Sequence, residues 1–312
     1  MSNVITVNHL IKHYRKAKTN AVDDVSFNVE EGEFFALLGP NGAGKTTTIS
    51  ILNTTLAKTS GQMEVAGYNV DTQSSQVRQS IGVIFQNPSL DLNLTAEENV
   101  RFHAVLYGLY PYRPSFALMP SAYKRKVKEL AEVLGITGQI YQPIKTFSGG
   151  MKRKLEIIRG LIHNPKVLFL DEPTTGLDPE SRQNLWQYLM EVRKKQSTTI
   201  FLTTHYLEET EDSDRVCIIN HGKVIALSTP HSLKKKFVDE YVVVDSHNRE
   251  ELQKELLKHT FQFEGNGPFK IPLQKNSAQE VVSALKTKLS VLQIHTPTLE
   301  EAYLEVIKED HE

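Results

Sequence analysis

The sequence has little of several features that mark particular classes of protein. It carries one cysteine, Cys217, in 312 residues, which excludes a disulfide framework. Cys217 lies in the apolar run 216–219 and is predicted to be a small core residue. The formal net charge is −1, so there is no broad positive field to attract nucleic acid or an anionic membrane. The length suggests two globular domains, whose contacts with other molecules must come from local sites.

Long hydrophobic runs are also missing. The longest apolar stretches are 34–38, 167–170 and 241–244, far below the roughly 18 to 20 residues needed to cross a bilayer. The N-terminal residues lack a basic segment followed by an apolar one, so no secretory signal is visible. We therefore expect a cytoplasmic protein. If it works at a membrane, another chain supplies the span.

Residues 1–228 are predicted to form an α/β domain. Strands are expected at 4–7, 25–29, 34–38, 167–170, 199–203 and 216–219, and helices at 45–56 and 179–195. A helical segment at about 87–165 is interrupted at Tyr107 to Tyr123 by three prolines and four tyrosines, which predict a loop or insertion. Strands that alternate with helices indicate a mainly parallel sheet covered by helices.

The sequence pattern changes near residue 229. From there we expect strand 241–245, helix 249–258, strands 260–264 and 268–273, helix 277–288, strand 290–295 and helix 298–308. The first six of these elements resemble a split βαβ unit. Residues 229–312 are therefore predicted to be a small α+β accessory domain.

A glycine-rich segment follows the apolar run 34–38. It reads Gly39-Pro40-Asn41-Gly42-Ala43-Gly44-Lys45-Thr46, followed by Thr47, and fits the pattern G-x-x-x-x-G-K-[ST]. In this pattern backbone N–H groups surround phosphate oxygens, Lys45 adds a positive charge, and the Thr46 hydroxyl can bind Mg²⁺. We call residues 39–47 the phosphate loop and expect it to bind a nucleotide.

Two carboxylates end a second apolar run. Asp171 and Glu172 follow the predicted strand 167–170. The first can hold Mg²⁺, as in other phosphate-loop proteins, and Glu172 is placed to polarise an attacking water molecule. The pair indicates a nucleotide hydrolase.

The segment Phe147-Ser148-Gly149-Gly150-Met151 resembles the signature motif of ABC-type ATPases, and we call it the signature segment. The resemblance covers about residues 1–228 and implies a P-loop NTPase sheet core with a helical subdomain. Phe147 and Met151 replace the Leu and Gln of many members. Together with the closing segment 297–304, Met151 and the basic run behind it resemble the drug-resistance, sodium-export and nodulation-type exporter branch. The remaining matches follow in the family's order: Tyr14, Gln86, Asp171, Asp178 and His205.

The resemblance implies a role for each matched residue. Ser148, Gly149 and Gly150 would contact the γ-phosphate of an ATP held by a second copy of the chain, so that two copies form a head-to-tail dimer. His205 would contact γ-phosphate and orient water, and Gln86 would reach Mg²⁺ and water. Tyr14 would stack on adenine. Asp178 would act across the dimer interface.

The implied function is that of an ATPase motor subunit of an ABC exporter, which drives a separately encoded membrane permease and sits on the inner face of the membrane. An alternative is an ABC ATPase that acts on ribosomes or DNA. That class is expected to have tandem ATPase domains or a long coiled coil, and the sequence shows neither. The transported substrate cannot be read from this chain, because the permease selects it.

Three basic clusters remain, and they are predicted to be solvated helix faces rather than a nucleic-acid surface. They are Lys124-Arg125-Lys126-Val127-Lys128, Lys152-Arg153-Lys154 and Lys234-Lys235-Lys236.

Overall fold

The computed structural model describes residues 2–85, 89–273 and 277–309. The chain forms two compact units, Met1–Leu227 and Ser228–Glu312, a division one residue from the predicted domain boundary. Gln86 and the start of the predicted helical segment at residue 87 lie outside the described residues. Within the described ranges, no helix combines the length and apolar character that crossing a bilayer requires.

The strands of the first unit follow the predicted order, with short additions. They are β1 (Asn3–Lys12), β2 (Val22–Glu30), β3 (Phe34–Leu38), β4 (Ser60–Val65), β5 (Tyr68–Asn69), β6 (Ile81–Ile84), β7 (Val167–Asp171), β8 (Thr199–Thr204), β9 (Arg215–Asn220) and β10 (Lys223–Ser228). The helices are α1 (Lys45–Leu52), α2 (Ser74–Ser80), α3 (Ala96–Leu106), α4 (Ser121–Val133), α5 (Gly149–Leu161) and α6 (Pro179–Gln196).

A six-stranded sheet in the order β10-β9-β3-β8-β7-β6 forms the centre of the first unit. β3 pairs in parallel with β8 and β9, and β7 pairs in parallel with β6 and β8, which confirms the predicted α/β fold. Every residue of β3, β7 and β8 is buried, as expected for parallel strands covered on both faces. The carboxyl ends of these strands share one edge, where α/β proteins bind their ligands.

A second sheet, in the order β2-β1-β4-β5, packs against the first. The contact is aromatic: the ring of Phe27 in β2 lies 5.2 Å from Phe35 and 5.9 Å from Phe201, measured between centroids. Such contacts fix the position of β3 and β8, and with them the edge at which both strands end.

The helical segment contains α3, α4 and α5, joined by short 3₁₀ turns at Phe116–Leu118, Thr137–Gln139 and Ile144–Thr146. The end of the predicted insertion is ordered helix, because α4 begins at Ser121 and buries Tyr123. The Tyr123 hydroxyl donates to Glu97 Oε1 at 3.1 Å, and Arg101 Nε donates to the same carboxylate at 3.0 Å. This buried cluster anchors the insertion on α3.

The predicted helix 45–56 ends earlier, at Leu52. Asn53 occupies its C-cap, and Thr54 adopts a left-handed conformation with φ of 67°. A residue with positive φ cannot continue an α-helix.

The second unit is an α+β unit, as predicted. Its elements are α7 (Pro230–Phe237), β11 (Tyr241–Asp245), α8 (Arg249–Lys258), β12 (Phe269–Pro272), α9 (Ala278–Ala284), β13 (Val291–His295) and α10 (Leu299–Glu309). The strands pair antiparallel in the order β12-β11-β13. This is the order of a split βαβ arrangement without its second strand.

The predicted strand 260–264 is wrong. Phe261 and Phe263 do pack on the core of the second unit, but among the described residues the backbone there forms one isolated bridge, between Glu264 and Lys270. Alternating apolar residues indicate which side chains face a core. They do not show that a neighbouring strand is present to form backbone hydrogen bonds. The predicted helix 277–288 is also too long, since α9 ends at Ala284.

Candidate functional site

The phosphate loop joins β3 to α1 and folds around the Lys45 amino group. Lys45 Nζ donates to the carbonyl oxygens of Gly39 at 2.7 Å and Pro40 at 3.0 Å. Gly44 has φ of 106°, and a Cβ there would lie 2.5 Å from the carbonyl oxygen of Ala21, so this position requires glycine. The loop thus holds an ammonium group and the N-terminus of a helix at one place, which suits a phosphate.

The Lys45 amino group is buried beside two acids. Burial lowers the pKa of Lys45, while the negative charges of Glu172 and Asp171 oppose that shift. A bound polyphosphate would add negative charge near the ammonium group and favour its charged form.

Asp171 ends β7 and faces the phosphate loop. Its Oδ1 accepts from Thr203 Oγ1 at 2.5 Å and from Thr46 Oγ1 at 3.5 Å. Burial raises the pKa of this carboxyl group, the Thr203 hydroxyl opposes the shift, and the charge of Glu172 adds to it. A buried carboxylate next to a threonine hydroxyl offers the oxygen ligands that Mg²⁺ prefers.

Glu172 adopts an uncommon backbone conformation, with φ of 48°. A non-glycine residue in this region costs about 1 to 3 kcal/mol and needs support from its surroundings. The Glu172 amide donates to the carbonyl of Thr203 at 2.9 Å. The side chain turns toward His205, which follows β8, and its Oε1 lies 3.0 Å from His205 Nδ1. The His205 ring in turn packs on Tyr206, with ring centroids 4.0 Å apart.

Arg153 corrects one prediction. The basic run 152–154 was expected to be solvated, but Arg153 is 3% exposed and lies behind the two carboxylates. Its guanidinium group donates to the backbone carbonyls of Phe85, Asp171, Glu172 and Pro173.

The signature segment leads directly into α5. Ser148 is the N-cap of this helix, and its Oγ accepts from the Met151 amide at 3.2 Å. Among the described residues, a Cβ at Gly149 would meet no atom within 4 Å, and one at Gly150 would meet only ordinary contacts. Packing among those residues therefore does not explain why both positions are glycine.

Two further predicted residues have local contacts. Tyr14 is half-exposed and lies next to the phosphate loop, with its hydroxyl 3.4 Å from Thr47 Oγ1. Asp178 is the N-cap of α6 and accepts from the Ser181 amide at 2.8 Å and hydroxyl at 2.6 Å. These bonds lower the pKa of Asp178, so it remains charged. The structure brings Tyr14, Lys45, Thr46, Asp171, Glu172 and His205 to one edge of the sheet.

Sequence reasoning missed three contributors: Arg153, Thr203 and Glu209. Glu209 is buried and accepts from Thr204 Oγ1 at 2.6 Å and from the Thr174 hydroxyl. It thus ties the residue before His205 to the segment after Glu172. The sequence could have placed Thr203 and Thr204 near the site, because they end a strand parallel to β7. Arg153 and Glu209 gave no such indication, since the groups that tie them to the site, the carbonyls of residues 171–173 and the Thr174 hydroxyl, come from distant segments.

The fold and these residues define a phosphate-loop nucleotide hydrolase. Residues 22–175 match the family described as "ABC transporter". The chain is 42% identical over 238 residues to the doxorubicin resistance ATP-binding protein DrrA of Mycobacterium tuberculosis, covering 76% of this chain and 69% of that protein. It is 36% identical over 231 residues to the Nod factor export ATP-binding protein I of Ralstonia nicotianae, covering 74% and 68%. The chain therefore belongs to the ABC transporter family and is an ABC-type ATPase.

Solved structures agree with this assignment. The ATP-binding subunit of an ABC transporter superposes with a TM-score of 0.66 at 31% identity, covering 75% of this chain and 93% of that one. A dimeric ATP-binding cassette in a post-hydrolysis state, bound to ADP and Pi, gives a TM-score of 0.64 at 25% identity, covering 72% and 98%. The relatives named for drug resistance and Nod factor export confirm the exporter branch that the signature segment indicated.

Proposed function

We propose that this chain is the ATPase motor of an exporter. Two copies bind two Mg·ATP head-to-tail, close, hydrolyse and reopen, and the movement drives a separately encoded permease from the inner face of the cell membrane. The relatives named for doxorubicin resistance and Nod factor export support this role. The exported compound is left to the permease, which would select it.

The observation that carries the proposal is the pair Glu172 and His205 next to Lys45. A carboxylate at the edge of the phosphate loop can accept a proton from water that attacks the γ-phosphate. His205 fixes the direction of that carboxylate through its 3.0 Å contact, and its ring would contact the γ-phosphate. Lys45 would stabilise charge on the transferred phosphoryl group.

The residues around Asp171 fit Mg²⁺. Thr46 and Asp171 would hold it, because their oxygens already lie 3.5 Å apart in a buried setting. Gln86 is a further predicted ligand, outside the described residues. A bound Mg²⁺ would offset the negative charge of the phosphate groups. Thr203 keeps Asp171 turned toward the loop by its hydrogen bond.

The open glycines support the dimer. Gly149 and Gly150 leave space at the N-terminus of α5, where N–H groups and the Ser148 hydroxyl can bind an anion. The γ-phosphate of the second copy's ATP would fill that space, and Asp178 would contact the same copy. Tyr14 would stack on the adenine of the ATP in its own phosphate loop. The insertion 107–123 lies in the helical segment, which contacts the membrane partner in this family, and it either tunes that contact or is a surface loop. The second unit would serve dimer stability or regulation.

The test is Glu172→Gln, with Glu64→Gln as the control because Glu64 is an exposed residue of β4. We expect Glu172→Gln to abolish steady-state hydrolysis, retain ATP binding and accumulate as an ATP-bound dimer in sedimentation. Glu64→Gln should behave like the wild type. Near-normal hydrolysis by Glu172→Gln would overturn the proposed chemistry.

Transport needs its own measurement. The wild-type chain should co-purify from detergent-solubilised membranes with a multi-span protein, and Glu172→Gln should retain that partner. Recovery only with ribosomes or DNA would replace the exporter role by the alternative considered from the sequence.

A further inference from the structure

One guanidinium group connects three segments of the site. We infer that Arg153 is a positioning residue that links the signature end of α5 to the backbone of Glu172, and so couples the two ATP sites of the dimer. This inference rests on the proposed function, because the coupling requires the head-to-tail dimer.

The bonds of Arg153 run along the backbone on both sides of Glu172. Its Nε donates to the Pro173 carbonyl at 2.6 Å, and one terminal nitrogen donates to the carbonyls of Glu172 at 3.0 Å and Asp171 at 3.2 Å. The other terminal nitrogen donates to the Phe85 carbonyl. Glu172 is the residue with the unusual φ, so Arg153 supports the backbone where support is needed.

The charge of Arg153 is balanced from its own helix. Glu156 lies one turn later in α5, is also buried, and accepts from Arg153 at 3.3 Å. Its other oxygen accepts from the Ser89 amide at 2.6 Å. A buried charge without a partner is costly, so this pair allows a cation to remain behind the site.

The geometry calls for arginine rather than lysine. The acceptors point at the guanidinium group from different directions, and a rigid fork with five N–H donors can serve all of them. A lysine ammonium group has three donors on one atom and cannot span carbonyls from separate segments. A lysine at position 153 would keep the positive charge and lose the hydrogen bonds that connect these segments.

The position of Arg153 on α5 gives it a second connection. Ser148 caps the start of the same helix, five residues earlier, and would contact the ATP held by the other copy. Glu172 serves the ATP in the phosphate loop of its own copy. An α-helix is stiff over this length, so a shift of α5 when its N-terminus binds phosphate would reach Glu172 through Arg153. One chain thereby senses one ATP and acts on the other.

The variants are Arg153→Lys and Arg153→Gln, with Arg101→Lys as the matched control. Arg101 is as buried as Arg153 and also pairs with a glutamate of its own helix, but it makes no contact with residues 171–173. The measurements are ATP binding, kcat, KM, the Hill coefficient for ATP and the thermal midpoint.

We expect Arg153→Lys to lower kcat by about 10- to 100-fold, with ATP binding within about threefold of the wild type, and to move the Hill coefficient toward 1. Arg101→Lys should lower the thermal midpoint with kcat and the Hill coefficient unchanged. Arg153→Lys that changes the thermal midpoint alone would show a structural role only and overturn the inference. If Arg153→Gln does not fold, the measurements on Arg153→Lys still test the inference.

The Glu172→Gln variant separates the two possible failures. Active Glu172→Gln would overturn the proposed function. Inactive Glu172→Gln that forms ATP-bound dimers, together with a normal Arg153→Lys, would overturn only the coupling.

Discussion

His205 Nδ1 lies 3.0 Å from Glu172 Oε1, although 33 residues separate the two in the sequence. The sheet register explains this contact. β7 and β8 pair in parallel with Asp171 opposite Thr203, so the residues after each strand leave the sheet at the same edge. The pair that we propose to be catalytic is therefore a consequence of strand pairing and of the left-handed turn at Glu172, not of a local motif.

Replacing His205 tests the value of that contact. His205→Ala should lower kcat by about 100-fold or more, because the carboxylate loses the group that directs it, while ATP binding stays close to that of the wild type. Steady-state hydrolysis and equilibrium nucleotide binding measure both effects. His259→Ala, an exposed histidine of the second unit, is the control. A kcat within threefold of the wild type would remove His205 from the mechanism.

Gly149 tests the composite site. A Cβ at this position meets nothing within 4 Å in the part of the chain that the structure describes, so Gly149→Ala should leave the free energy of unfolding unchanged or raise it by up to about 1 kcal/mol. The added methyl group should nevertheless weaken ATP-driven dimerisation at least about tenfold, since it occupies the space assigned to phosphate. Sedimentation in the Glu172→Gln background measures dimerisation. Gly138→Ala, at another open position, should have no effect on it. Equal dimerisation by both variants would contradict the composite site.

His103 should make the protein sensitive to acid. Burial lowers the pKa of His103 to about 3, and the charges of Arg159 and His163 act in the same direction. An unfolded histidine has a pKa near 6.5, so the unfolded state binds more protons as the pH falls below that value. Between pH 7 and pH 5 this histidine should cost about 2 kcal/mol of stability.

Urea unfolding of His103→Gln at the two pH values checks this prediction. The variant should lose about 2 kcal/mol less than the wild type between pH 7 and pH 5. His231→Gln, at an exposed position, should lose as much as the wild type. Identical losses in His103→Gln and the wild type would show that His103 is not buried as a neutral group.

Thr204 supports the segment that leads to His205. Its hydroxyl donates to buried Glu209 at 2.6 Å and accepts from the Tyr206 amide at 2.9 Å. Thr204→Val keeps the volume and removes both bonds, so it should lower the free energy of unfolding by about 1 to 3 kcal/mol. Thr210→Val is the control, because that buried hydroxyl bonds one local carbonyl and leaves Glu209 untouched. Chemical denaturation compares the two, and an equal or larger loss in Thr210→Val would contradict the role of Glu209.

Much of the first unit could be predicted because its sequence signals are local. The apolar run Phe34–Leu38 followed by the phosphate loop specifies a buried strand, a turn and a helix within a short stretch. The carboxylates after Leu170 are specified in the same way. The order of the matched residues then gave the family.

The unpredicted parts depend on contacts between distant segments. Arg153 looks like any charged residue in a basic run, because its acceptors are main-chain oxygens that no side-chain pattern reveals. The sequence likewise does not indicate the role of Glu209, since its partner Thr174 lies 35 residues away. The prediction of a strand around Phe261 and Phe263 is the opposite error. The alternating pattern is clear and both side chains face a core, but the backbone has almost no strand to pair with.

The close packing of the phosphate loop has a consequence for nucleotide exchange. A Cβ at Gly39 would lie 2.1 Å from the carbonyl oxygen of Ile219, and one at Gly44 would lie 2.5 Å from that of Ala21. Packing against neighbouring segments therefore determines the backbone conformation of the loop, and a ligand is not required to form it. ATP meets a preorganised receptor, so little conformational entropy is lost on its arrival. In the proposed cycle, the large rearrangement is then the approach of two chains.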